Sequence, residues 1–341
     1  MAHILIIRFS AIGDVAMTVP VIDSLARQYP ENLYTVVSQS FLSPLFAHCP
    51  DNVRFFGVNL YGEYKGTTGM YRLYRKLREE KFDGVADLHD VLRTRLLRIF
   101  FRCSGLKVRH INKGRKEKRH LTGKKNKTFR QLKPTTERYA DVFSALDQPV
   151  ASPDFRSVFG SSRGDFSRII QLTGEKTGRW IGIAPFAKHA GKRFPLPRTE
   201  QVAAHFANSG DTTIFLFGGG ADEQTVLDGW SAKYPRTVSV AGKLDLPAEL
   251  ILMSHLDVML SMDSANMHLA SLTATPVVSV WGATHPYTGF YGYGQSPDRA
   301  VQVEMDCRPC SVYGNRACHR KNMACMTQIT PQMVIDAIDD F

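Results

Sequence analysis

Residues 3–20, HILIIRFSAIGDVAMTVP, place a buried strand directly before a helix. The four consecutive aliphatic residues from Ile4 to Ile7 are typical of a strand that is covered on both faces of a parallel sheet. The following segment VIDSLARQYP has helical spacing and ends at Pro30. Asp14 therefore lies where the strand gives way to helix. A carboxylate there could cap the helix, or it could face a cleft and accept a proton, and the two roles are compatible.

Strand-like runs alternate with amphipathic helical stretches in both halves of the chain, which predicts an α/β protein with parallel sheets. The predicted strands lie in HILIIRF, LYTVVSQ and FDGVADLHD of the first half, and in WIGIAPF, TTIFLFGGG, TVSVAG, LDVMLSMD and PVVSVWG of the second. A segment rich in Pro, Ser and Gly, residues 146–164, separates the halves. We expect two Rossmann-like domains, residues 1–165 and 166–341, with ligands at the carboxyl ends of their strands.

The net charge of +11 is concentrated in one segment. Residues 107–133 contain twelve Lys or Arg and one acid, Glu117, so the rest of the 341-residue chain is close to neutral. Such a segment attracts phosphates, acidic sugars, nucleic acid or a membrane surface, or it is a solvated loop. Nucleic-acid binding is disfavoured, because Phe129 is the one aromatic residue among these basic residues.

The chain contains no apolar run near the ~20 residues that a membrane span requires. The four aliphatic residues before Arg8 are too few for the apolar core of a signal peptide, and no small-residue cleavage site follows them. We therefore expect a cytoplasmic protein.

Two segments that follow predicted strands could bind a nucleotide. Residues 218–223, GGGADE, would let a ligand approach the backbone closely, and Glu223 could accept a hydrogen bond from a ribose hydroxyl. Asp263 and Ser264 are good N-cap residues for a helix whose free N–H groups would bind an anion, with His268 one turn further on. In isolation these features also fit an ordinary turn and a capped helix with a core histidine.

A third segment, the loop after WIGIAPF, carries Lys188, Lys192 and Arg193. Lysine is a point charge suited to a diphosphate, although a plain basic surface loop has the same composition. The chain has no G-x-G-x-x-G at its first strand and no G-x-x-x-x-G-K-[ST]. This argues against a conventional dinucleotide enzyme and against a P-loop ATPase.

Taken together, these segments resemble the bacterial ADP-heptose:lipopolysaccharide heptosyltransferases of glycosyltransferase family 9. The similar blocks, in the family's order, are HILIIRFSAIGDVAMTVPVIDSL, FDGVADLHDVLRTRLL, TERY, APFAKHAGKRFP and MDSANMHLASLTATPVVSVWGAT. The cysteine-rich tail, CRPCSVYGNRACHRKNMACMTQITPQMV, is similar to that of the second heptosyltransferase type. Phe194 stands where the family usually has Trp, and Ala265 where it usually has Gly.

The resemblance implies a GT-B fold, in which two Rossmann-like domains with an interdomain cleft close on a nucleotide-sugar. It also implies an inverting, metal-independent transfer of heptose from ADP-heptose to the inner core of lipopolysaccharide. The family's catalytic base falls on Asp14. Because Phe194 and Ala265 depart from the pattern, another nucleotide-sugar or another cell-envelope acceptor stays open, as does a non-catalytic sensor of sugar nucleotides.

This interpretation assigns the remaining candidate residues. Positive charge on the leaving diphosphate would come from Lys192 and the helix end that begins at Ser264. The predicted donor-binding residues are Lys188, Lys192, Glu223, Asp263, Ser264, Ala265 and His268. The predicted acceptor-binding residues, chosen for their charge, are Lys113, Arg115, Lys116, Lys118 and Arg119. An inner-core acceptor is anionic and lies at the cytoplasmic membrane face, so we also expect peripheral contact with an anionic membrane surface.

Four of the six cysteines are clustered in the tail. Cys307, Cys310, Cys318 and Cys325 have the spacing C-x2-C-x7-C-x6-C. In the cytosol such a cluster favours a metal over disulfides, and a structural zinc with four thiolate ligands is the natural candidate. The second interval is not a standard finger spacing, and small buried cysteines are the alternative.

Overall fold

The computed structural model describes residues 1–124, 127–150 and 153–341. The chain forms two compact units: unit 1 comprises Met1–Lys113 and Pro134–Val158, and unit 2 comprises Gly114–Lys133 and Phe159–Phe341. The sequence predicts a single division at residue 165, whereas the chain passes between the units three times, because Gly114–Lys133 belongs to unit 2. Two residues of the basic segment, Lys125 and Asn126, and two of the expected linker, Ala151 and Ser152, lie outside the described residues.

Unit 1 is built on a five-stranded parallel sheet with the strand order β3-β2-β1-β4-β5. Its elements are β1 (His3–Ile7), α1 (Ile12–Ala16), α2 (Val19–Gln28), β2 (Leu33–Gln39), β3 (Val53–Val58), α3 (Gly66–Arg78), β4 (Gly84–Asp87), α4 (Leu92–Cys103), β5 (Lys107–His110) and, after the segment that joins unit 2, α6 (Thr135–Ser144). The aliphatic run of β1 is buried on both faces, as expected for an inner parallel strand.

Unit 2 is built on a six-stranded parallel sheet with the order β11-β10-β9-β6-β7-β8. Its elements are α5 (Arg115–Leu121), α7 (Ile170–Thr173), β6 (Arg179–Ala184), α8 (Leu196–Ala207), β7 (Thr212–Leu216), α9 (Ala221–Lys233), β8 (Thr237–Ser239), α10 (Leu246–His255), β9 (Val258–Met262), α11 (Ala265–Leu272), β10 (Val277–Val280), β11 (Ala300–Val301), α12 (Ala324–Thr327) and α13 (Pro331–Asp339). The predicted α/β class with two parallel sheets is confirmed.

The core of unit 2 packs around large side chains between the sheet and its helices. Trp180 of β6, Phe215 of β7 and Phe194, which precedes α8, are almost completely buried. Phe194 therefore belongs to the core, where a large aromatic side chain fills volume between β6 and α8. A substitution at Phe194 would therefore change the packing of the core and not the surface.

Each sheet has one point at which the strand order changes direction. In unit 1 this switch point lies between β1 and β4, and in unit 2 it lies between β6 and β9. Open parallel sheets bind ligands in the crevice outside the carboxyl ends of the strands at such a point. The loops after β1, β4, β6 and β9 are therefore the places to look for functional side chains. In the part of the chain that the structure describes, none of the helices has both the length and the hydrophobicity of a membrane span.

Candidate active site

Asp14 lies at the switch point of unit 1, in the loop and helix that follow β1. Asp14 is the third residue of α1, and Ala11 is the N-cap residue. The prediction that Asp14 is the N-cap residue is therefore wrong. The carboxylate still supports the helix start, since its Oδ2 accepts a hydrogen bond from the Ala11 N–H at 3.3 Å. About a third of the side chain is exposed, 32%, so the carboxylate remains accessible to a ligand.

Arg8 holds the Asp14 carboxylate. Its Nη2 lies 2.8 Å from Asp14 Oδ2, while its Nη1 donates to the Leu88 carbonyl at 2.7 Å. Since Leu88 follows β4, this buried guanidinium ties the two loops of the switch point together. Tyr139 adds a third contact, because its hydroxyl donates to the Asp14 carbonyl at 3.3 Å. Sequence reasoning missed Arg8, although a charged residue immediately after a buried strand was a usable signal.

His89, in the loop after β4, is a neutral imidazole beside this pair. Burial, followed by the positive charges of Arg8 and Lys113, lowers the pKa of His89 to about 3. Its Nδ1 accepts a hydrogen bond from the Phe9 N–H at 3.4 Å, which leaves the ring proton on Nε2. The ring therefore offers a hydrogen-bond donor and no charge at neutral pH.

A buried acidic pair fixes the loop that carries His89. The wholly buried Asp87 accepts the N–H groups of His89 and Asp90 on its Oδ1, at 2.9 and 3.0 Å. Arg98 lies between the two acids, with its Nη2 at 3.1 Å from Asp90 Oδ1. Lys113 donates from its Nζ to the Asp90 carbonyl at 3.2 Å, which places this predicted acceptor residue in unit 1.

Lys192 and Asp263 meet at the switch point of unit 2. Lys192 ends a short 3₁₀ segment after β6, Ala190–Lys192, and Asp263 directly follows β9. The Lys192 Nζ lies 2.8 Å from Asp263 Oδ2, and Thr284 Oγ1 donates to the same oxygen at 2.7 Å. Asp263 is only 5% exposed and pairs with Lys192, so the prediction that it caps α11 is wrong.

The N-terminus of α11 lies beside this pair. Ser264 is the N-cap residue of α11, but its hydroxyl contacts Ser261 Oγ at 3.2 Å and does not cap the helix. The Ser264 side chain therefore does not occupy the first backbone N–H groups of the helix, which can donate to a ligand. Ala265 is the first helical residue, and His268 is buried one turn further on.

Two further predicted donor residues occupy different places in unit 2. Glu223 lies in the first turn of α9, where its Oε2 accepts the Gly219 N–H at 2.9 Å and closes the glycine-rich turn after β7. Lys188 is exposed in the loop after β6, and among the described residues it forms no ion pair. Its ammonium group is therefore available in the loop that carries Lys192.

The predicted acceptor residues of unit 2 divide by exposure. Arg115, Lys116 and Arg119 are exposed on α5. Lys118 is only 6% exposed, and its Nζ lies 4.0 Å from the centroid of the Phe290 ring, a cation–π contact that holds α5 on unit 2. The charge pattern alone did not distinguish this anchoring lysine from its exposed neighbours.

Three residues near the end of the basic segment have specific contacts within unit 2. Lys127 donates from its Nζ to the carbonyls of Asp306 and Arg308, at 3.0 and 2.9 Å. The Phe129 ring lies 4.9 Å from the ring of Tyr287, and the Leu132 N–H donates to the Tyr287 carbonyl at 3.0 Å. Lys127 and Leu132 are therefore held on unit 2, while Phe129 remains 53% exposed.

The four tail cysteines line one small cavity of unit 2, about 10 Å³ in volume, which is room for about one water-sized occupant. All four are free thiols. Burial raises the pKa of Cys325 to about 11 and also raises the pKa of Cys310. Within the described residues, no three or more His, Cys, Asp or Glu side chains are arranged as a metal site.

Arg308 is buried beside this cavity, with 3% of its surface exposed. Its guanidinium donates to the carbonyls of Trp281, Gly282, Val303 and Thr284, and to the side-chain oxygen of Gln302. None of the described Asp or Glu residues forms an ion pair with it. Burial lowers the pKa of Arg308, and the neighbouring thiols of Cys325, Cys307 and Cys310 oppose that shift.

Comparison with known proteins identifies the family. A model of glycosyltransferase family 9 (heptosyltransferase) matches residues 70–320. The lipopolysaccharide core heptosyltransferase OpsX of Haemophilus influenzae is 24% identical over 287 residues, which cover 82% of this chain and 79% of that protein.

Two solved structures share the fold. The crystal structure of a family 9 glycosyl transferase from Veillonella parvula superimposes with a TM-score of 0.77 at 18% identity, covering 99% of this chain and 96% of that one. The ADP-heptose lipopolysaccharide heptosyltransferase II of E. coli gives a TM-score of 0.71 at 19% identity, covering 99% and 98%. The fold is therefore that of the GT-B heptosyltransferases. Because the family model covers most of the sequence, this chain is a glycosyltransferase and belongs to glycosyltransferase family 9, the heptosyltransferase family.

Proposed function

We propose that the protein transfers heptose from ADP-heptose to the inner core of lipopolysaccharide, with inversion at the anomeric carbon. The proposal is carried by the ion pairs at the two switch points. In unit 1, Arg8 holds the accessible carboxylate of Asp14. In unit 2, Asp263 holds Lys192 beside the N-terminus of α11. These are the base and the cationic group that a single displacement at a sugar diphosphate requires.

In the proposed reaction, an acceptor hydroxyl attacks the anomeric carbon and gives its proton to Asp14. The bond from the anomeric carbon to the diphosphate oxygen breaks, and ADP leaves with the bonding electron pair. The ammonium group of Lys192 and the first N–H groups of α11 stabilise the negative charge on the departing diphosphate. Because these groups supply positive charge at the leaving group, we expect transfer without a catalytic divalent cation.

The donor-binding roles follow from where each residue lies. Glu223 keeps one carboxylate oxygen on the Gly219 N–H. We assign its other oxygen to a ribose hydroxyl of the donor. Lys188 adds a second positive charge in the loop of Lys192. Ser264 and Ala265 contribute backbone N–H groups at the start of α11, and the buried His268 supports that turn.

We assign acceptor binding to the exposed cations of the basic segment and to Lys113, with Lys118 as an anchor. The inner core carries carboxylates and phosphates, which these side chains attract. We further propose that the protein works at the cytoplasmic face of the inner membrane, in peripheral contact with anionic lipid. Vesicle sedimentation tests this point: binding to anionic vesicles that falls with added salt supports it, and equal recovery with neutral vesicles contradicts it.

We also propose a structural zinc ion at Cys307, Cys310, Cys318 and Cys325. The support is their shared cavity, which has room for one small occupant, and the buried Arg308 cation that lacks a carboxylate partner among the described residues. Four thiolates around zinc would supply the missing negative charge and would leave no open coordination position. Elemental analysis of protein purified without chelator should give about one zinc per chain, and absence of bound metal contradicts the assignment.

The transfer itself is tested with a panel of ADP-, GDP- and UDP-sugars. We expect ADP-heptose to raise the unfolding temperature most, because a ligand that binds the native state stabilises it according to its affinity. Mass spectrometry should then show one heptose added to a heptose-deficient lipopolysaccharide acceptor, with the product's anomeric configuration opposite to the donor's. Transfer from a UDP- or GDP-sugar alone would overturn the donor, and retention of configuration would overturn the single displacement.

A further inference from the structure

Helices α3 and α4 of unit 1 carry a second concentration of positive charge. Each helix contains four Lys or Arg residues, and neither contains Asp or Glu. Three of these eight cations are compensated by carboxylates of unit 1, namely Lys76, Arg95 and Arg98. Among the described residues, the other five form no ion pair: Arg72, Arg75, Arg78, Arg93 and Arg102.

Large apolar side chains are exposed on the same two helices. Leu92 is 78% exposed, Ile99 is 53% exposed and Tyr71 is 50% exposed. Leu92 and Ile99 are separated by two helical turns, so they lie on one face of α4. The Tyr71 ring lies 5.5 Å from the ring of Phe100, the neighbour of Ile99, so the exposed side of α3 adjoins this face.

Tyr61, in the loop before α3, extends the same surface. It is 74% exposed, and the Arg93 guanidinium lies 5.5 Å from the centroid of its ring. The α3–α4 face therefore combines the four exposed side chains Tyr61, Tyr71, Leu92 and Ile99 with the five arginines that lack an ion pair. Contiguous exposed apolar surface of this kind marks an interaction site.

The chemistry of the α3–α4 face matches an anionic lipid surface. Exposed Leu and Ile side chains can enter the boundary of the acyl chains, and Tyr side chains are favoured at the depth of the headgroups. Arginines without an ion pair attract the phosphates of anionic lipids. Charge complementarity therefore selects a negatively charged bilayer as the partner.

The α3–α4 face begins beside the candidate active site. Because α3 and α4 follow β3 and β4, both helices start at the carboxyl end of the sheet. Leu92 comes two residues after Asp90, in the loop that also carries His89. This is the edge of the sheet where Asp14 follows β1. A lipid-linked acceptor can therefore present its sugars at this edge while its acyl chains stay in the bilayer.

We infer that the α3–α4 face docks unit 1 on an anionic membrane and holds the acceptor site at the lipid surface. The inference deepens the proposed function, because it rests on the proposed membrane contact and names the surface that makes it. Leu92 and Ile99 enter the apolar boundary, and the five arginines bind lipid phosphates. The basic segment, residues 107–133, is then left to the sugars of the acceptor.

Tryptophan fluorescence of the full chain locates the docking surface. The native tryptophans, Trp180, Trp230 and Trp281, are buried in unit 2 and give a constant background. Ile99→Trp places a reporter on the α3–α4 face, and Phe129→Trp places one at a similarly exposed position of the basic segment. Phosphatidylcholine vesicles that contain phosphatidylglycerol should shift the emission of Ile99→Trp to shorter wavelength. The emission of Phe129→Trp should stay unchanged, and a shift in that variant alone overturns the inference.

Vesicle sedimentation measures the part played by charge. Arg72→Gln/Arg75→Gln should lower the partition coefficient on the same vesicles by about fivefold for each charge removed, or about 25-fold in total. The matched control is Arg156→Gln/Arg163→Gln, which removes two exposed arginines from outside the face. The control should bind as the wild type does, and an equal loss in the two double variants overturns the inference.

A kinetic arm connects docking to transfer. Arg72→Gln/Arg75→Gln should raise the KM of an acceptor held in vesicles and leave the KM of a delipidated acceptor unchanged. If the wild type ignores anionic vesicles, the inference fails, while transfer to the delipidated acceptor still supports the proposed function. If no donor supports transfer, the proposed function fails and the vesicle results still decide the inference. A dimer in vesicle-free solution that Ile99→Ser dissociates would make the face an interface between two copies of the chain and overturn the inference.

Discussion

Replacing Asp14 with Asn separates a catalytic role from a structural one. The amide has nearly the same shape as the carboxylate, and its oxygen can still accept the Ala11 N–H that supports the start of α1. What the variant loses is the negative charge and the ability to take a proton. The contacts around the side chain therefore predict a small change in stability and a large change in rate.

The stability change follows from the exposure of the ion pair. Arg8 Nη2 lies 2.8 Å from the carboxylate, but 32% of the Asp14 side chain is exposed, so solvent screens the pair. Its loss should lower the free energy of unfolding by about 1 kcal/mol. Arg8 keeps its hydrogen bond to the Leu88 carbonyl and the nearby negative charge of Asp87, so it does not become an isolated buried cation. A domain of ordinary stability stays almost fully folded after such a change.

The rate change follows from the chemistry. A positioned general base contributes about 10²- to 10⁴-fold, so kcat should fall by about that factor, equivalent to ~3–5 kcal/mol in the barrier. The assay is transfer from ADP-heptose at saturating donor and acceptor, with unfolding by urea measured on the same preparation. Thermal-shift titration should show that donor binding is retained.

Asp23→Asn is the matched control, because Asp23 also pairs with an arginine, Arg27, at 2.8 Å, within α2. This carboxylate is 6% exposed, so its loss should cost at least as much stability while kcat stays within about twofold. The reasoning is refuted if Asp14→Asn keeps kcat within tenfold of wild type. It is also refuted if the two variants lose activity equally, since Asp14 would then act through stability alone.

Three further predictions concern other parts of the structure. Lys192→Met leaves the buried Asp263 without its cation, so the free energy of unfolding in urea should fall by about 3 kcal/mol and the donor KM should rise; unchanged stability would contradict the pairing. Gly314→Ala adds a methyl group 2.7 Å from Lys192 Cγ at a φ of +74°, so it should raise the donor KM and leave the acceptor KM unchanged in steady-state kinetics. Burial lowers the pKa of His89 to about 3 and that of His285 to about 4, below the ordinary value of about 6.5. The unfolded chain therefore takes up protons first as the pH falls from about 6.5 to 4, and urea unfolding should show stability lost by at most about 1.4 kcal/mol per pH unit for each histidine; a flat profile would contradict their burial.

The central strands could be predicted because their side chains are buried on both faces. Continuous aliphatic runs such as that of β1 are typical of parallel strands that are covered on both faces. Three strands were missed: β3, β5 and β11. The first two lie at the edges of their sheet, with partly exposed patterns, and β5 is built from the charged sequence KVRH. β11 has two residues, too few for any periodicity.

The candidate site residues could be chosen singly from the sequence, but their pairings could not. Lys192 and Asp263 were each expected near a donor phosphate, but they lie 71 residues apart in the sequence, and only the adjacency of β6 and β9 brings them together. Lys118 was grouped with exposed cations because charge patterning contains no information on burial. Arg8 was missed as the partner of Asp14 although the two are close in sequence. His89 was missed because only the pairing of β1 with β4 brings its ring to the Phe9 N–H.

The pairing of Lys192 with Asp263 has a consequence for selectivity. The ammonium group of Lys192 is paired with Asp263, so chloride or inorganic phosphate must compete with this internal anion for it. A sugar nucleotide presents two linked phosphates, which can engage the amide groups of α11 while they draw the lysine away from its resting partner. Abundant salt ions in the cell should therefore be weak inhibitors, because the ion pair disfavours small single anions relative to a sugar diphosphate.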